Sequence, residues 1–104
     1  MSHAPSALAS VVSGLTPRQR SAIREAMRTF VEEDLALGVP VDGLDWCEAC
    51  RSWRPSAGFV AYEPTRMCNQ CATRYEILRA GGAIQTTDQF LRHARRQRRR
   101  AHRR

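Results

Sequence analysis

The sequence predicts a small α-rich domain in which a cysteine-bearing segment separates an N-terminal helix from later helical segments. Three observations support this fold class. The chain has 104 residues, 42% of them apolar but only three Phe, two Tyr and two Trp, which is enough for one modest core. Its four cysteines stand in two C-x2-C pairs. Apolar residues recur at helical spacing before the first pair and after the second.

Residues 1–15 have no strong period, and we interpret them as a flexible lead-in. They contain no Lys or Arg and are interrupted by Ser10, Ser13 and Gly14, so they make a poor signal peptide. No run in the chain approaches the roughly 20 apolar residues that span a bilayer. We therefore expect a cytoplasmic protein that has no membrane partner and whose thiols face a reducing compartment.

The first predicted element is an amphipathic helix over residues 16–38. The sequence Thr16-Pro17-Arg18-Gln19 fits a capping box with proline at the first helical position. Gly38 and then Pro40 end the helix. Its apolar stripe is expected to pack in the core or to form a dimer contact, and it consists of Ile23, Met27, Phe30, Val31 and Leu35.

The same helix carries three consecutive acids near its end, Glu32, Glu33 and Asp34. The simplest expectation is that they form a solvated helix face. The alternative is that they dock on a basic surface of a partner.

The segment 39–82 is predicted to be a four-cysteine zinc finger. Between the cysteine pairs, Pro55, Gly58 and Pro64 surround a short apolar run, which favours a β-hairpin over a helix. After the second pair, Cys71, Tyr75 and Leu78 fall at helical spacing, and two glycines follow. We therefore expect a short hairpin and then a helix that grows out of the metal site.

The paired cysteines predict one metal site with the pattern C-x2-C-x17-C-x2-C. Its ligands are Cys47, Cys50, Cys68 and Cys71. A two-residue spacer lets both sulfurs of one turn reach a single ion, and two such turns complete a tetrahedron of thiolates. Disulfides are the alternative, but a reducing compartment favours metal ligands.

Zinc is the expected metal and iron is its main rival. Rubredoxin-type turns usually place glycine directly after the second cysteine of each pair, where this chain has Arg51 and Ala72. Four protein ligands leave no open coordination position, so we expect one structural zinc ion. The backbone amides of residues 69–72, at the start of the following helix, favour thiolates electrostatically.

Residues 83–104 form an arginine-rich C-terminal helix or tail. Residues 1–90 carry nine arginines against ten acids, a net charge of −1, whereas residues 91–104 carry eight arginines and no acid. Thr86 marks a helix start, with Phe90, Leu91 and Ala94 as the only apolar anchors. Because no acid relieves the repulsion between the arginines, we expect this helix to be frayed until it binds a partner.

The tail is the candidate nucleic-acid-binding site, because clustered guanidinium groups neutralise phosphates and release counterions. A solvated tail without a partner, an acidic protein and a membrane surface are the alternatives. The candidate contact residues are Arg92, Arg95, Arg96, Arg98, Arg99, Arg100, Arg103 and Arg104.

Four aromatic residues lie beside the cysteine pairs: Trp46, Trp53, Phe59 and Tyr62. They are expected to cover the metal site, with base stacking as the alternative where they are exposed. No histidine lies near a Ser, Cys or carboxylate in the body of the chain, and there is no glycine-rich phosphate loop, so we do not expect an enzyme.

Residues 17–80 resemble the C4 zinc finger of the DksA/TraR family. The likeness rests on Trp46-Cys47-Glu48-Ala49-Cys50, on Cys68-Asn69-Gln70-Cys71 leading into a helix, and on the preceding helix. It implies binding to bacterial RNA polymerase. No acid precedes Glu25, so the acidic residues with which that family acts in the polymerase channel match no position here.

A second likeness is to small phage and actinobacterial zinc modules associated with HNH and endonuclease VII-type nucleases. It rests on Arg54-Pro55 and Phe59 after the first pair and on Tyr75 after the second. Those nucleases need histidines near the metal, and this chain has none there, so the likeness implies a binding module.

These observations predict a zinc-stabilised nucleic-acid-binding accessory or regulatory protein. The zinc module orients the fold and the arginine-rich tail contacts phosphates of DNA or RNA. The alternative is a transcription regulator that docks on RNA polymerase through the zinc finger and the first helix.

Overall fold

The computed structural model describes residues 14–102, so nearly all of the predicted lead-in over residues 1–15 lies outside the described residues. The chain forms three helices and two small antiparallel hairpins within that range. In order they are α1 (Pro17–Ala36), β1 (Leu44–Cys47), β2 (Ser52–Pro55), β3 (Val60–Tyr62), β4 (Thr65–Met67), α2 (Asn69–Ala80) and α3 (Thr87–His102). The predicted small α-rich fold is confirmed.

Helix α1 begins with the predicted capping box. The Gln19 amide donates to Thr16 Oγ1 at 3.1 Å, and the Thr16 amide donates to Gln19 Oε1 at 2.9 Å. The helix ends before Gly38, which has a φ of 99°, a conformation that favours glycine. Of its apolar stripe, Met27 is buried whereas Phe30 remains 45% exposed, so α1 buries only part of the stripe.

Two hairpins connect α1 to α2, whereas only one was expected from the sequence. The expected hairpin is β3–β4, with Val60 opposite Met67. The additional hairpin is β1–β2, in which Trp46 pairs with Trp53 and Cys47 with Ser52, so its turn carries the first cysteine pair. The sequence did not reveal it because its two strands have only four residues each, too few for their alternation of apolar and polar residues to stand out.

A network around Asn69 joins α1 to the hairpins and to α2. The Asn69 side-chain amide donates to the Met27 carbonyl at 2.8 Å and to the Gly58 carbonyl at 3.1 Å. Asp34 of α1 accepts the Gly58 amide at 2.7 Å. The expectation that Asp34 belongs to a solvated face is therefore wrong, while Glu32 and Glu33 are exposed as predicted.

Helix α3 is ordered and packed, which differs from the expectation of a frayed tail. A second capping box at Thr86 and Gln89 begins it. Phe90 is fully buried and meets the Tyr75 ring edge-on at 5.5 Å, and Ala94 is buried one turn later. Repulsion between arginines does not prevent the helix from forming, because tertiary packing of one helical face supplies most of the stability of a short helix.

The core is built around the cysteines. It joins Met27 of α1, Met67 of β4, Tyr75 of α2 and Phe90 of α3 to the four-cysteine region. Each large apolar side chain of the core thus comes from a different element, and the metal site lies among them. No helix within residues 14–102 combines the length and the apolar character needed to cross a membrane.

We expect Gly58→Ala to lower the free energy of unfolding by about 3 kcal/mol, the combined cost of a left-handed alanine and of overpacking. Gly58 has a φ of 84°, and a Cβ there would lie 2.4 Å from Val31 Cγ2 and 2.8 Å from Asn69 Nδ2. Urea unfolding of the zinc-loaded protein measures the loss.

Gly38→Ala is the matched control for this prediction. Gly38 also has a positive φ, but a Cβ there would meet no atom within 4 Å. It should therefore cost only about 1 kcal/mol, the backbone strain alone. Equal losses in the two variants would contradict the tight contact between Gly58 and α1.

Candidate metal centre and arginine-rich helix

The structure brings the four predicted metal ligands together. The Sγ atoms of Cys47, Cys50, Cys68 and Cys71 all lie within 4.8 Å of one another. Four thiolates bound to one zinc at about 2.3 Å lie about 3.8 Å apart in a regular tetrahedron, so only a small contraction is needed. The donor set fits one structural zinc, and no other metal-ligating cluster occurs within residues 14–102.

The two cysteine pairs are held by different local structures. The first lies in the β1–β2 turn, where the Cys50 amide points at Cys47 Sγ at 3.5 Å. The second lies at the start of α2, where Cys68 is the N-cap and its sulfur accepts the Cys71 amide at 3.5 Å. The Cys68 amide also donates to Cys47 Sγ at 3.3 Å, which links the pairs. These amides favour the thiolate forms.

The protonation of the crowded thiols shows why a cation belongs here. The side-chain hydrogen bond from Cys71, with further help from the Cys71 amide, lowers the pKa of Cys68 to about 5. The same contact, followed by burial, raises the pKa of Cys71, and burial raises the pKa of Cys47. Four thiolates at these distances, three of them buried, repel one another unless a dication neutralises them.

The backbone conformation of Arg51 bears on the expectation of zinc over iron. The lack of glycine after Cys50 was expected to disfavour a rubredoxin-type turn. Arg51 nevertheless adopts the left-handed conformation that glycine would take there, with a φ of 56°. Its guanidinium lies over the Trp46 ring at 5.6 Å and near Glu48 at 3.9 Å. A residue other than glycine thus fits this turn, and the missing glycine is no argument against iron.

Ser52 supports Cys50, the most exposed of the four ligands, and this role of Ser52 was not predicted from the sequence. Cys50 is half-buried, whereas the other three ligands are buried. The Ser52 hydroxyl lies 3.1 Å from Cys50 Sγ and donates to it when the sulfur is a thiolate. Hydrogen bonds of this kind orient metal ligands, and the signal in the sequence was a hydroxyl residue two positions after the second cysteine.

The arginines of α3 divide into two groups. Arg92, Arg95, Arg96 and Arg99 fall at i, i+3, i+4 and i+7, and all four are exposed. They lie on the side of α3 away from Phe90 and Ala94, and Arg100 is exposed next to them. Arg103 and Arg104 lie outside the described residues. We call the first four residues the α3 arginine face.

Arg98 has a different environment from the other candidate arginines. It is half-buried, and its guanidinium donates to the backbone carbonyl of Ala49, between the first two metal ligands. Ala94 and Ala101 of α3 line the same junction with Cys50 and Cys71. This residue therefore fastens α3 to the cysteine turn.

The electrostatic environment of α3 is strongly positive. Burial, followed by the charges of Arg74, Arg96 and Arg100, lowers the pKa of His93. In the described part of α3, six arginines are set against one acid, Asp88, in the first turn. The surface near His93 thus combines cationic residues of α2 and α3.

Two of the four aromatic residues beside the cysteine pairs pack against the core that contains the cysteines. Phe59 and Tyr62 contact the core, and the Tyr62 hydroxyl donates to Glu76 at 2.6 Å. Trp46 is half-buried between Trp53, at 5.5 Å, and Arg51. Trp53 is 63% exposed, so among these four it alone presents a largely open ring.

The chain matches no protein-family model, and comparison with curated proteins and with solved structures finds no match. The four-cysteine cluster indicates a zinc-finger module, while the resemblance to the DksA/TraR finger and that to the nuclease-associated modules stay predictions.

We expect about one zinc per chain, and we expect its removal by a strong chelator to unfold the protein. Structural zinc supplies roughly 10 kcal/mol or more of apparent binding free energy in small fingers, which is comparable to the whole stability of a domain. Cys71→Ser should abolish stoichiometric binding. Elemental analysis, with circular dichroism before and after chelation, measures both. A folded metal-free protein would contradict the site.

Ser52→Ala should weaken zinc binding by about tenfold, because Cys50 loses a hydrogen bond to its thiolate. Competition against a chromophoric chelator measures the affinity. Ser56→Ala is the control, since the structure shows only backbone hydrogen bonds for Ser56. Equal losses in both variants would show that the Ser52 hydroxyl has no special role.

Comparing Arg98→Ala with Arg99→Ala should distinguish an arginine that holds α3 against the cysteine turn from one that only contributes surface charge. The first loses the bond to the Ala49 carbonyl and should lower the free energy of unfolding by about 1 kcal/mol. The second removes an exposed charge and should leave stability unchanged. Thermal unfolding of the zinc-loaded variants tests this, and equal stability of the two would contradict the fastening role of Arg98.

Proposed function

We propose that this protein is a zinc-stabilised nucleic-acid-binding accessory or regulatory protein. The observation that carries the proposal is the α3 arginine face, which is exposed while the opposite side of the helix is anchored to the cysteine site. An ordered helix presents its charges together and so loses less conformational entropy on binding than a disordered tail does.

The dimensions of the face suit a phosphate backbone. Arg92 and Arg99 are seven residues apart, which is about 10 Å along a helix. A major groove about 12 Å wide admits an α-helix, whose arginines then reach phosphates on its rims. Such contacts position a protein without reading sequence, so we propose binding that is weakly selective among sequences.

Two observations support a binding role over catalysis. All four thiols converge on one site where they serve as metal ligands, and that donor set leaves no open coordination position for a substrate. His93 lies near Arg74, Arg96 and Arg100, whose charges lower its pKa after burial, and such cationic surroundings suit the binding of an anion. Docking on RNA polymerase stays a prediction, tested by retention of the full chain on immobilised polymerase.

Replacing three residues of the α3 arginine face by alanine, at Arg92, Arg95 and Arg99, should weaken binding to duplex DNA and to RNA strongly. Each lost phosphate contact lowers the slope of log affinity against log salt by about 0.9 for duplex DNA, so the slope should fall by about 3. Fluorescence anisotropy at several salt concentrations measures affinity and slope together.

The matched control removes the same charge elsewhere. Arg51, Arg66 and Arg79 each form an ion pair with a nearby acid in the body of the protein. Their triple alanine variant should keep most of the salt slope. Equal effects in the two triple variants would show that binding depends only on the net charge of the protein and not on the α3 arginine face. Absence of binding by the parent protein would contradict the proposal.

A further inference from the structure

A groove of about 670 Å³ lies between α1 and α2, outside the α3 arginine face. One part of its lining is cationic and consists of Arg24, Arg28, Arg54 and Arg74. Another part is apolar, with Val31, Leu35, Val41, Pro55, Ala57 and Ile77. Among the described residues that line it, none is Asp or Glu.

The four lining arginines, which we call the cationic wall, form no ion pair with acidic residues within residues 14–102. Within residues 14–102, Arg24 and Arg28 form no ion pair, although the two lie one helical turn apart and repel each other. Arg54 donates through Nη2 to Gln70 at 3.0 Å, but its Nε is buried and has no partner. A shielded donor without an acceptor is costly, and the Arg54 guanidinium has no acidic partner within residues 14–102.

The apolar lining residues of the groove, which we call its apolar floor, determine which kind of acidic partner it can bind. A phosphate backbone gains little from apolar contact, whereas an amphipathic protein segment inserts apolar side chains and places its charges at the rim. Val41 is 84% exposed and Leu35 is 38% exposed, so apolar surface remains open at this end of the groove. Residues 1–13 of the chain carry no acid and cannot supply the complementary charge.

We propose that the α1–α2 groove binds an acidic amphipathic segment of a partner protein. Apolar side chains of that segment contact Leu35 and Val41, and its carboxylates pair with Arg24, Arg28 and Arg54. This second surface goes beyond the proposed nucleic-acid binding and does not depend on it. It would let the protein hold a protein partner and a nucleic acid at the same time.

The test uses two labelled helical peptides made of leucine and glutamate in identical proportions. In one the leucines recur every three or four residues and form a stripe, and in the other they are spread around the helix. Fluorescence anisotropy with the zinc-loaded full chain at physiological salt should show the striped peptide binding about tenfold tighter. Only the striped peptide can place its leucines on the apolar floor while its glutamates pair with the cationic wall.

Matched variants locate the site. Arg28→Glu and Val41→Glu should each weaken binding of the striped peptide by about tenfold, since a carboxylate would then repel the segment or replace its apolar contact. Arg18→Glu lies on the same helix outside the groove, and Leu37→Glu alters a residue that is also 84% exposed. Both controls should bind as the parent protein does, and zinc content checks that all variants are folded.

Several outcomes would overturn the proposal. Equal binding of the two peptides, or equal losses in control and groove variants, would mean attraction to net charge alone. A loss of duplex DNA binding in Arg28→Glu as large as that from the α3 variants would assign the groove to nucleic acid. Self-association of the parent chain that Val41→Glu abolishes would assign it to a second copy.

Discussion

The convergence of four cysteine sulfurs on one site that fits a structural zinc ion is the constraint on which the rest of the structure depends. Two four-residue strands cannot hold a hairpin in water by themselves, and α2 has only 12 residues. The cysteines tie the β1–β2 turn to the start of α2, and Cys47 Sγ accepts amides from both segments. A cation at this point therefore converts marginal local structure into one core.

The same constraint extends to α1. Asn69 lies between two metal ligands, and its side chain bonds to carbonyls of α1 and of the Gly58 loop. Asp34 of α1 adds a further bond between α1 and this loop by accepting the Gly58 amide. Because the position of Asn69 is fixed by the cysteines on both sides of it, the orientation of α1, and with it the α1–α2 groove, follows from metal coordination.

Arginine serves three different purposes in this small protein. Arg98 bonds to a backbone carbonyl of the cysteine turn and orders α3. Arg51, Arg66 and Arg79 form exposed ion pairs and lie over aromatic rings, where a flat guanidinium packs well. The α3 arginine face and the groove arginines are left without acidic partners among the described residues, and these are the two surfaces to which we assign binding.

The sequence by itself determined the elements that rest on local chemistry. The capping boxes at Thr16 and Thr86, the glycines after α1 and α2, and the four metal ligands all follow from short patterns with strict geometric needs. Tertiary structure alone decided which charged residues are structural. Asp34 and Arg98 look like their exposed neighbours in the sequence, but the partners that bind them, Gly58 and Ala49, are 24 and 49 residues away. No local pattern encodes such pairings, because they join segments that are distant in the chain and meet only in the folded protein.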